Sequence, residues 1–440
     1  MLLPLAATIA IMAPPDPSAS DSLAGLSGGR ARANVEALVG FGTRHTLSET
    51  ESDERGIGAA RRWILAELQS YGGRLEAKLE RFEAPPGRRL PDGAEIVNIV
   101  AVLPGTMPEA AHRRYYVLGH YDSRNSDGLD GAGDAPGAND DASGVAVVME
   151  LARTLADTRL DATVVFLCTA GEEQGLYGAR YHVESALARG EDIGGALSLD
   201  MVGDPSVPPG IEDLLDARRH VRVFSQGAPR QADAETQAQI SSLGAESDSP
   251  QRQLARFVRE SGALEQTPVQ AMMVFRNDRF LRGGDHTPFV DAGLPAVRFT
   301  VVYEDYTRQH QDLRVEDGVR YGDTLEHVDA TYLDGVAQLV GSTLVRLANA
   351  PSAPGEARII TAELTSDTTL RWAPSPEPDV AGYEVVWRLT TEPDWTGALD
   401  VGSVTEATIP LSKDNWLFGV RAYDAAGWRS VVAFPVAARR

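Results

Sequence analysis

Cysteine is almost missing from this chain. Its 440 residues hold one, Cys168, inside the apolar run Thr163-Val-Val-Phe-Leu-Cys-Thr169. An intrachain disulfide is therefore excluded, and so is a zinc site built on several thiolates. Any metal must be held by nitrogen and oxygen donors. The flanking pattern is that of a core strand, which makes Cys168 a buried structural thiol rather than a nucleophile. Basic charge is also short, with 41 Lys and Arg against 63 Asp and Glu and a net charge of -22. Nucleic acid and anionic lipid both call for clustered cations, so neither is an expected partner. The acidity reads as solubility. No apolar run is long enough to cross a bilayer. Residues 2–12 form a shorter one, followed by Ala13-Pro14-Pro15. It has the apolar core of a secretory signal without the basic residues that normally precede it, and export (periplasmic or secreted) is the expectation.

The length predicts two domains, and 43% hydrophobic residues suffice for a large core. Residues 1–30 read as the signal-like segment and a Pro-, Ser-, Gly- and Asp-rich linker. From 31 to 350 strands and helices alternate. Helical periodicity covers the stretch from Ala31 and residues 56–71, and strands are expected at 75–82 and 96–103. Strands at 115–118, 163–169 and 196–200 then alternate with helices at 144–157 and 175–188. Residues 204–250 read as a surface excursion containing a short strand at 222–225. A helix at 251–261, a strand at 295–302 and a helix at 331–349 close the region. This is the pattern of an α/β domain whose central sheet is mixed but largely parallel, with helices on both faces. In such sheets ligands gather at the carboxyl ends of strands.

After Pro351-Ser-Ala-Pro354 the pattern changes. Short strands are expected at 359–364, 369–372, 383–388, 407–409, 417–423 and 430–435, so residues 354–440 read as a small all-β sandwich. Trp372, Tyr383-Glu-Val-Val-Trp387 and Phe418-Gly-Val-Arg-Ala-Tyr423 resemble a fibronectin type III domain. Such a domain would serve docking to a surface or another protein, or act as a spacer.

The polar groups that follow the apolar strands are His120 and Asp122, Asp140, Glu172 and Glu173, and Asp200, with His286, His310 and His327 later. Imidazoles and several carboxylates suit two borderline divalent cations. A carboxylate can bridge such a pair, and a free carboxylate beside a ligand can accept a proton from water. Other polar residues have simpler readings. Asp127, Asp130 and Asp134 read as turn formers, and Asp141 as a cap for the helix that follows. His45, His112, His182 and His220 read as surface or satisfied core residues. Arg279 and Arg282 are open to a substrate carboxylate or to salt bridging.

The set GHYDS (119–123), PGANDDASG (136–144), GEEQGLYGAR (171–180) and LSLDMVG (197–203) resembles the di-zinc exopeptidase family of aminopeptidase Y and the secreted bacterial leucyl aminopeptidases. Glutamate carboxypeptidase and glutaminyl cyclase belong to the same wider group. The resemblance implies that His120 and Asp200 bind one of two zinc ions, Glu173 binds the other, and Asp140 bridges them. It implies Glu172 as general base and Asp122 as the residue orienting His120. The last ligand in the family is a late histidine after an apolar strand and before an Asp-Thr. His310, ahead of Asp323-Thr324, is taken first, with His286 and His327 left open. Many relatives place a tyrosine before that histidine to support the oxyanion, whereas this chain has Gln309, with Tyr306 nearby. The implied activity is aminopeptidase action on peptides or proteins with a free N-terminus. A carboxypeptidase or dipeptidase, and a non-catalytic binding protein, are the alternatives.

Overall fold

The structure, a computed structural model, describes residues 13–229, 232–362 and 365–438. The expected signal core at 2–12 and the end of the strand expected at 359–364 lie outside the described residues. The described residues form two compact units, one within Ser18–Ala348 and the other made of those from Asn349 onward together with 13–17.

The larger unit is built on an eight-stranded sheet. Its strands in chain order are β1 (Glu76–Ala84), β2 (Ala94–Leu103), β3 (Arg113–His120), β4 (Thr163–Thr169), β5 (Asp192–Leu199), β6 (His220–Phe224), β7 (Gln270–Val274) and β8 (Ala296–Val301). They lie in the spatial order β1-β2-β4-β3-β5-β8-β6-β7. The four central strands, β4, β3, β5 and β8, run parallel to one another. The outer pairings β1–β2, β2–β4 and β6–β8 are antiparallel. Every residue of β4 and β8 is buried, as expected of parallel strands covered on both faces. Cys168 lies in that core as a free thiol. The expected fold class is the one observed, a mixed and mostly parallel sheet flanked by helices.

The helices are α1 (Ser20–Leu23), α2 (Gly28–Gly40), α3 (Gly56–Ser70), α4 (Ser143–Leu155), α5 (Glu172–Gly175), α6 (Tyr177–Ala188), α7 (Ala234–Leu243), α8 (Pro250–Glu265), α9 (Thr287–Asp291) and α10 (Ala330–Asn349). Tyr116, Leu118, Val165 and Leu167 of the sheet share one core cluster with Val183 and Ala186 of α6 and Phe289 and Val290 of α9. Three local expectations change. Residues 18–30 are not merely a linker, because α1 forms and α2 starts at Gly28 rather than Ala31. Ser27 caps α2 through its side chain, and its own N–H is held by buried Glu150 at 2.8 Å. The helix expected at 175–188 is α6 and starts at Tyr177, because Leu176 takes a left-handed conformation (φ 62) that separates it from the short α5. Gly178 is then pressed so closely on Asn98 that a Cβ there would lie 2.3 Å from the amide oxygen. The excursion at 204–250 contains α7, capped by Asp233.

The smaller unit has a four-stranded and a three-stranded sheet. Trp372, Tyr383, Val385, Phe418 and Val420, drawn from both, share its core, and Trp387 packs against it. The strand expected at 430–435 is absent. Only isolated bridges join Ala433 to Val420 and Arg429 to Tyr423. The Ser430 hydroxyl, rather than a backbone carbonyl, accepts from the Ala422 N–H at 3.0 Å, so the ladder is not continued there. A strand at Gly397–Gly402 pairs with Val380–Leu389 instead.

One glycine sets how closely α4 approaches the sheet. A Cβ on Gly144 would lie 2.5 and 2.6 Å from the Asp141 carboxylate oxygens and 2.8 Å from the Leu199 carbonyl. Gly144→Ala should therefore destabilise the protein by about 1–3 kcal/mol through overpacking. The expected result is a melting temperature lowered by roughly 2 °C or more. An unchanged melting temperature would show that the contact relaxes freely.

Candidate metal centre

Each apolar central strand hands the chain to a polar turn at its carboxyl end. His120 is the last residue of β3, and Asp200 directly follows β5. Glu172 and Glu173 open α5 just after β4, behind Gly171, whose positive φ of 71° makes the turn. Asp140 comes from the irregular turn before α4. His310 lies beyond β8, itself in a left-handed conformation (φ 55). Because β4, β3, β5 and β8 are neighbours, these ends converge.

The convergence gives two groups. The donor atoms of His120, Glu172 and Asp200 lie within 4.8 Å of one another, as do those of Asp140, Glu173 and His310. His310 Nε2 is 2.8 Å from Glu173 Oε1. Asp140 joins the groups, with Oδ1 3.2 Å from His120 Nε2 and Oδ2 3.1 Å from His310 Nε2. Asp200 Oδ1 is 4.0 Å from His120 Nε2. Of the three late histidines the structure brings only His310 into these groups. His286 is buried with Nε2 2.9 Å from the Asn277 carbonyl and 3.6 Å from Asp278. His327 lies in a short 3-10 turn beside Glu326, 3.4 Å away.

Asp122 is completely buried. Its carboxylate accepts from the Glu172 and Glu173 N–H groups at 3.3 and 3.2 Å, fixing the start of α5. It is 3.6 Å from His120 Nδ1, which comes closer, at 3.1 Å, to the Asp122 backbone carbonyl. Asp141 accepts from the Gly144, Met201 and His120 N–H groups at 3.0, 3.1 and 3.1 Å. It caps α4 as expected and also ties α4 to two strand ends. Asp127 and Asp130 accept turn N–H groups, matching their reading as turn formers. His45 is a satisfied core residue, bonded to the Leu47 N–H and placed against Gln174 and the Gly128 carbonyl.

The donor set fits divalent metal. Asp122, Asp140, Glu173 and Asp200 are all buried, with Glu172 half-buried beside them. So many carboxylates buried this close together are costly without cations. The imidazoles respond to the same imbalance. Burial opposes a charge on His310, but Glu173 and Asp140 outweigh it and raise its pKa to about 10. His120 is likewise raised against the effect of burial, by Asp122 and Asp140. Burial, with Glu173 and Asp200 nearby, pushes the Glu172 carboxyl well above the usual range. Cations bound by these donors would take over the charge balance that protons otherwise supply. With nitrogen and carboxylate oxygen as the donors, zinc is well matched.

Several further groups support the centre, and of these Arg298 gives little sign of itself in the sequence. Arg298 is completely buried, 2.8 Å from Asp200 and 2.8 Å from Asp278. Its one signal is a charge inside an otherwise apolar strand. Asp323 accepts from the Asn139 and Asp140 N–H groups at 2.9 and 2.7 Å and so holds the bridging turn. Gln309 donates to Asp140 Oδ2 at 3.1 Å and accepts from Arg282 at 3.2 Å. Tyr306 is 60% exposed under the Arg282 guanidinium, so it does not fill the place of a buried oxyanion donor. The centre opens into a cleft of about 410 Å³, whose lining includes Glu172, Leu176, Leu281 and four arginines, Arg89, Arg124, Arg279 and Arg282.

Residues 98–344 match peptidase family M28. A probable zinc metalloprotease of Leptosphaeria maculans is 45% identical over 410 residues, covering 91% of this chain and 94% of its own. A second probable zinc metalloprotease, from Pyrenophora teres f. teres, is 41% identical over 429 residues, covering 96% of this chain and 87% of its own. Among solved structures, an aminopeptidase from Aneurinibacillus sp. strain AM-1 superposes with a TM-score of 0.52 at 15% identity. It covers 76% of this chain and 96% of that chain, a likeness of fold. No helix among the described residues is long and apolar enough to cross a membrane. The chain belongs to peptidase family M28, and it is a metallopeptidase.

Proposed function

We propose that the protein is a di-zinc exopeptidase, acting first as an aminopeptidase that removes the N-terminal residue of peptides, with Glu172 as general base. The observation that carries this reading is the Asp140 carboxylate, which gives one oxygen to each histidine and so links the two donor groups. His120 and Asp200 would hold one ion and Glu173 and His310 the other, with Asp140 shared. Zinc held there would supply Lewis acidity, polarising the scissile carbonyl and making water more acidic. Glu172 stands half-buried on the cleft, beside the ligands. Its carboxylate takes a proton from the attacking water and returns it to the leaving amine. Asp122 holds the backbone of both glutamates, so the base and its neighbouring ligand are positioned together. The carboxylates of the centre give a free α-amine its counter-charge.

Cationic side chains in the cleft, Arg89 and Arg124 among them, favour a second reading, a dipeptidase or carboxypeptidase that recognises a carboxylate. A panel of free and N-blocked peptides separates the two. The aminopeptidase reading predicts that free peptides are cleaved from the N-terminus and N-acetylated ones are not. Activity should disappear with a chelator and return with zinc. Equal cleavage of blocked peptides would overturn the aminopeptidase assignment, and activity indifferent to chelation would overturn the zinc chemistry.

A further inference from the structure

The arginines of the cleft are not equivalent. Arg279 lies 3.1 Å from Asp278 and 3.1 Å from Glu304. Arg282 is 3.3 Å from Glu304, which also serves Arg222 at 2.7 Å. Both cations are thus paired with carboxylates of the fold, which they share with Arg222 and Arg298. Arg89 and Arg124 are held differently. Arg89 donates through one NH to the backbone carbonyl of Glu173 at 2.6 Å. Arg124 donates through Nε to the Asn125 carbonyl at 3.1 Å and through an NH to the Ser126 carbonyl at 3.2 Å. Neither has a carboxylate partner among the described residues. Each guanidinium is thus steered by neutral acceptors, with donors to spare out of five.

We infer that Arg89 and Arg124 form a carboxylate-binding subsite next to the metal centre, and that preferred substrates carry a carboxylate close to the bond cleaved. This rests on the peptidase reading above and names the substrate class for it. Three observations combine. Both side chains line the same cleft as Asp140, Glu172, Glu173 and His310. Arg89 is anchored on the backbone of Glu173 itself, so its charge sits beside a proposed ligand. The chain as a whole carries a net charge of -22, which repels acidic peptides. Selecting one therefore needs a local cationic feature such as this. A guanidinium binds a carboxylate through two parallel N–H donors, which gives direction as well as attraction. The carboxylate belongs either to the C-terminus of a short peptide or to an Asp or Glu side chain following the scissile bond.

The zinc-loaded full chain, assayed on two matched peptide pairs, tests the subsite. Leu-Ala against Leu-Ala-amide isolates the chain terminus. Leu-Glu-amide against Leu-Gln-amide isolates the side chain. At least one pair should favour its carboxylate member by about 10- to 100-fold in kcat/KM, mainly through KM. The pair that responds identifies the source. In the double variant Arg89→Gln, Arg124→Gln that ratio should fall toward one, while Arg89→Lys, Arg124→Lys should keep part of it, having the charge without the fork. Zinc content and melting temperature of each variant are read alongside. A wild-type ratio near one in both pairs overturns the subsite whatever the variants do. So does a ratio that survives intact in a folded, zinc-loaded double Gln variant. No turnover of any peptide removes the peptidase reading and the subsite with it, whereas turnover without discrimination removes the subsite alone.

Discussion

Glu172→Gln should lower peptide turnover by about 10²- to 10⁴-fold, the usual contribution of a positioned general acid–base group, while leaving zinc content unchanged. Glutamine is nearly isosteric with glutamate and keeps one carbonyl oxygen, but it cannot accept a proton at neutral pH. The fold should tolerate the change, because the Glu172 backbone is held by Asp122 through its N–H and not through the replaced carboxylate. The donor atoms of Glu172, His120 and Asp200 also lie within 4.8 Å of one another, so the variant separates two roles. Loss of turnover with full metal content identifies the base. Loss of metal along with turnover identifies Glu172 as a ligand. Retained turnover of an aminoacyl-arylamide would sink the assignment outright.

Asp140→Asn should act on metal binding as well as on rate. The aspartate places one oxygen against His120 and the other against His310, each within about 3.2 Å. An asparagine has one acceptor oxygen and one NH₂, so it cannot serve both groups. Zinc content should fall from two ions per chain, with turnover reduced by at least 10²-fold, on the order of what a disturbed metal shell costs. The neighbouring Asp141 makes an internal control. It accepts three backbone N–H groups and its function is structural, so Asp141→Asn should register first as a lower melting temperature. His310→Ala should take zinc content from two toward one, because that residue belongs to the second group alone. Two ions retained in Asp140→Asn would mean that the groups bind independently and that no carboxylate is shared.

The centre was readable because its residues follow short apolar strands whose length and composition mark them as parallel core strands. His120, Asp140, Glu172, Glu173 and Asp200 sit at those strand ends or the turns after them, and local patterning locates such places. His310 is less legible, since its loop is long and the chain offers three late histidines. Only the adjacency of β8 to β5 brings one of them into reach. Arg298 could not be found by pattern, because its partners Asp278 and Asp200 are distant in sequence and pairing is a property of the folded chain. The edge strand β7, Gln-Ala-Met-Met-Val, carries one β-branched residue in five and so has no strand signature in the sequence. Leu176, a non-glycine residue at positive φ, delays the start of α6 to Tyr177, which periodicity alone does not reveal. Arg89 and Arg124 gave no signal either, as an arginine in a polar loop is ordinarily a solvated one, and their difference from Arg279 and Arg282 lies in which partners the fold gives them.

The central claim is that two metal ions share Asp140. A crystal structure of the zinc-loaded protein, with anomalous difference maps recorded on either side of the zinc absorption edge, tests it most directly. The account predicts two zinc peaks per chain, one among His120, Asp200 and an Asp140 oxygen and the other among Glu173, His310 and the second Asp140 oxygen. A single peak, or a second one that leaves Asp140 bound to one ion only, would contradict it.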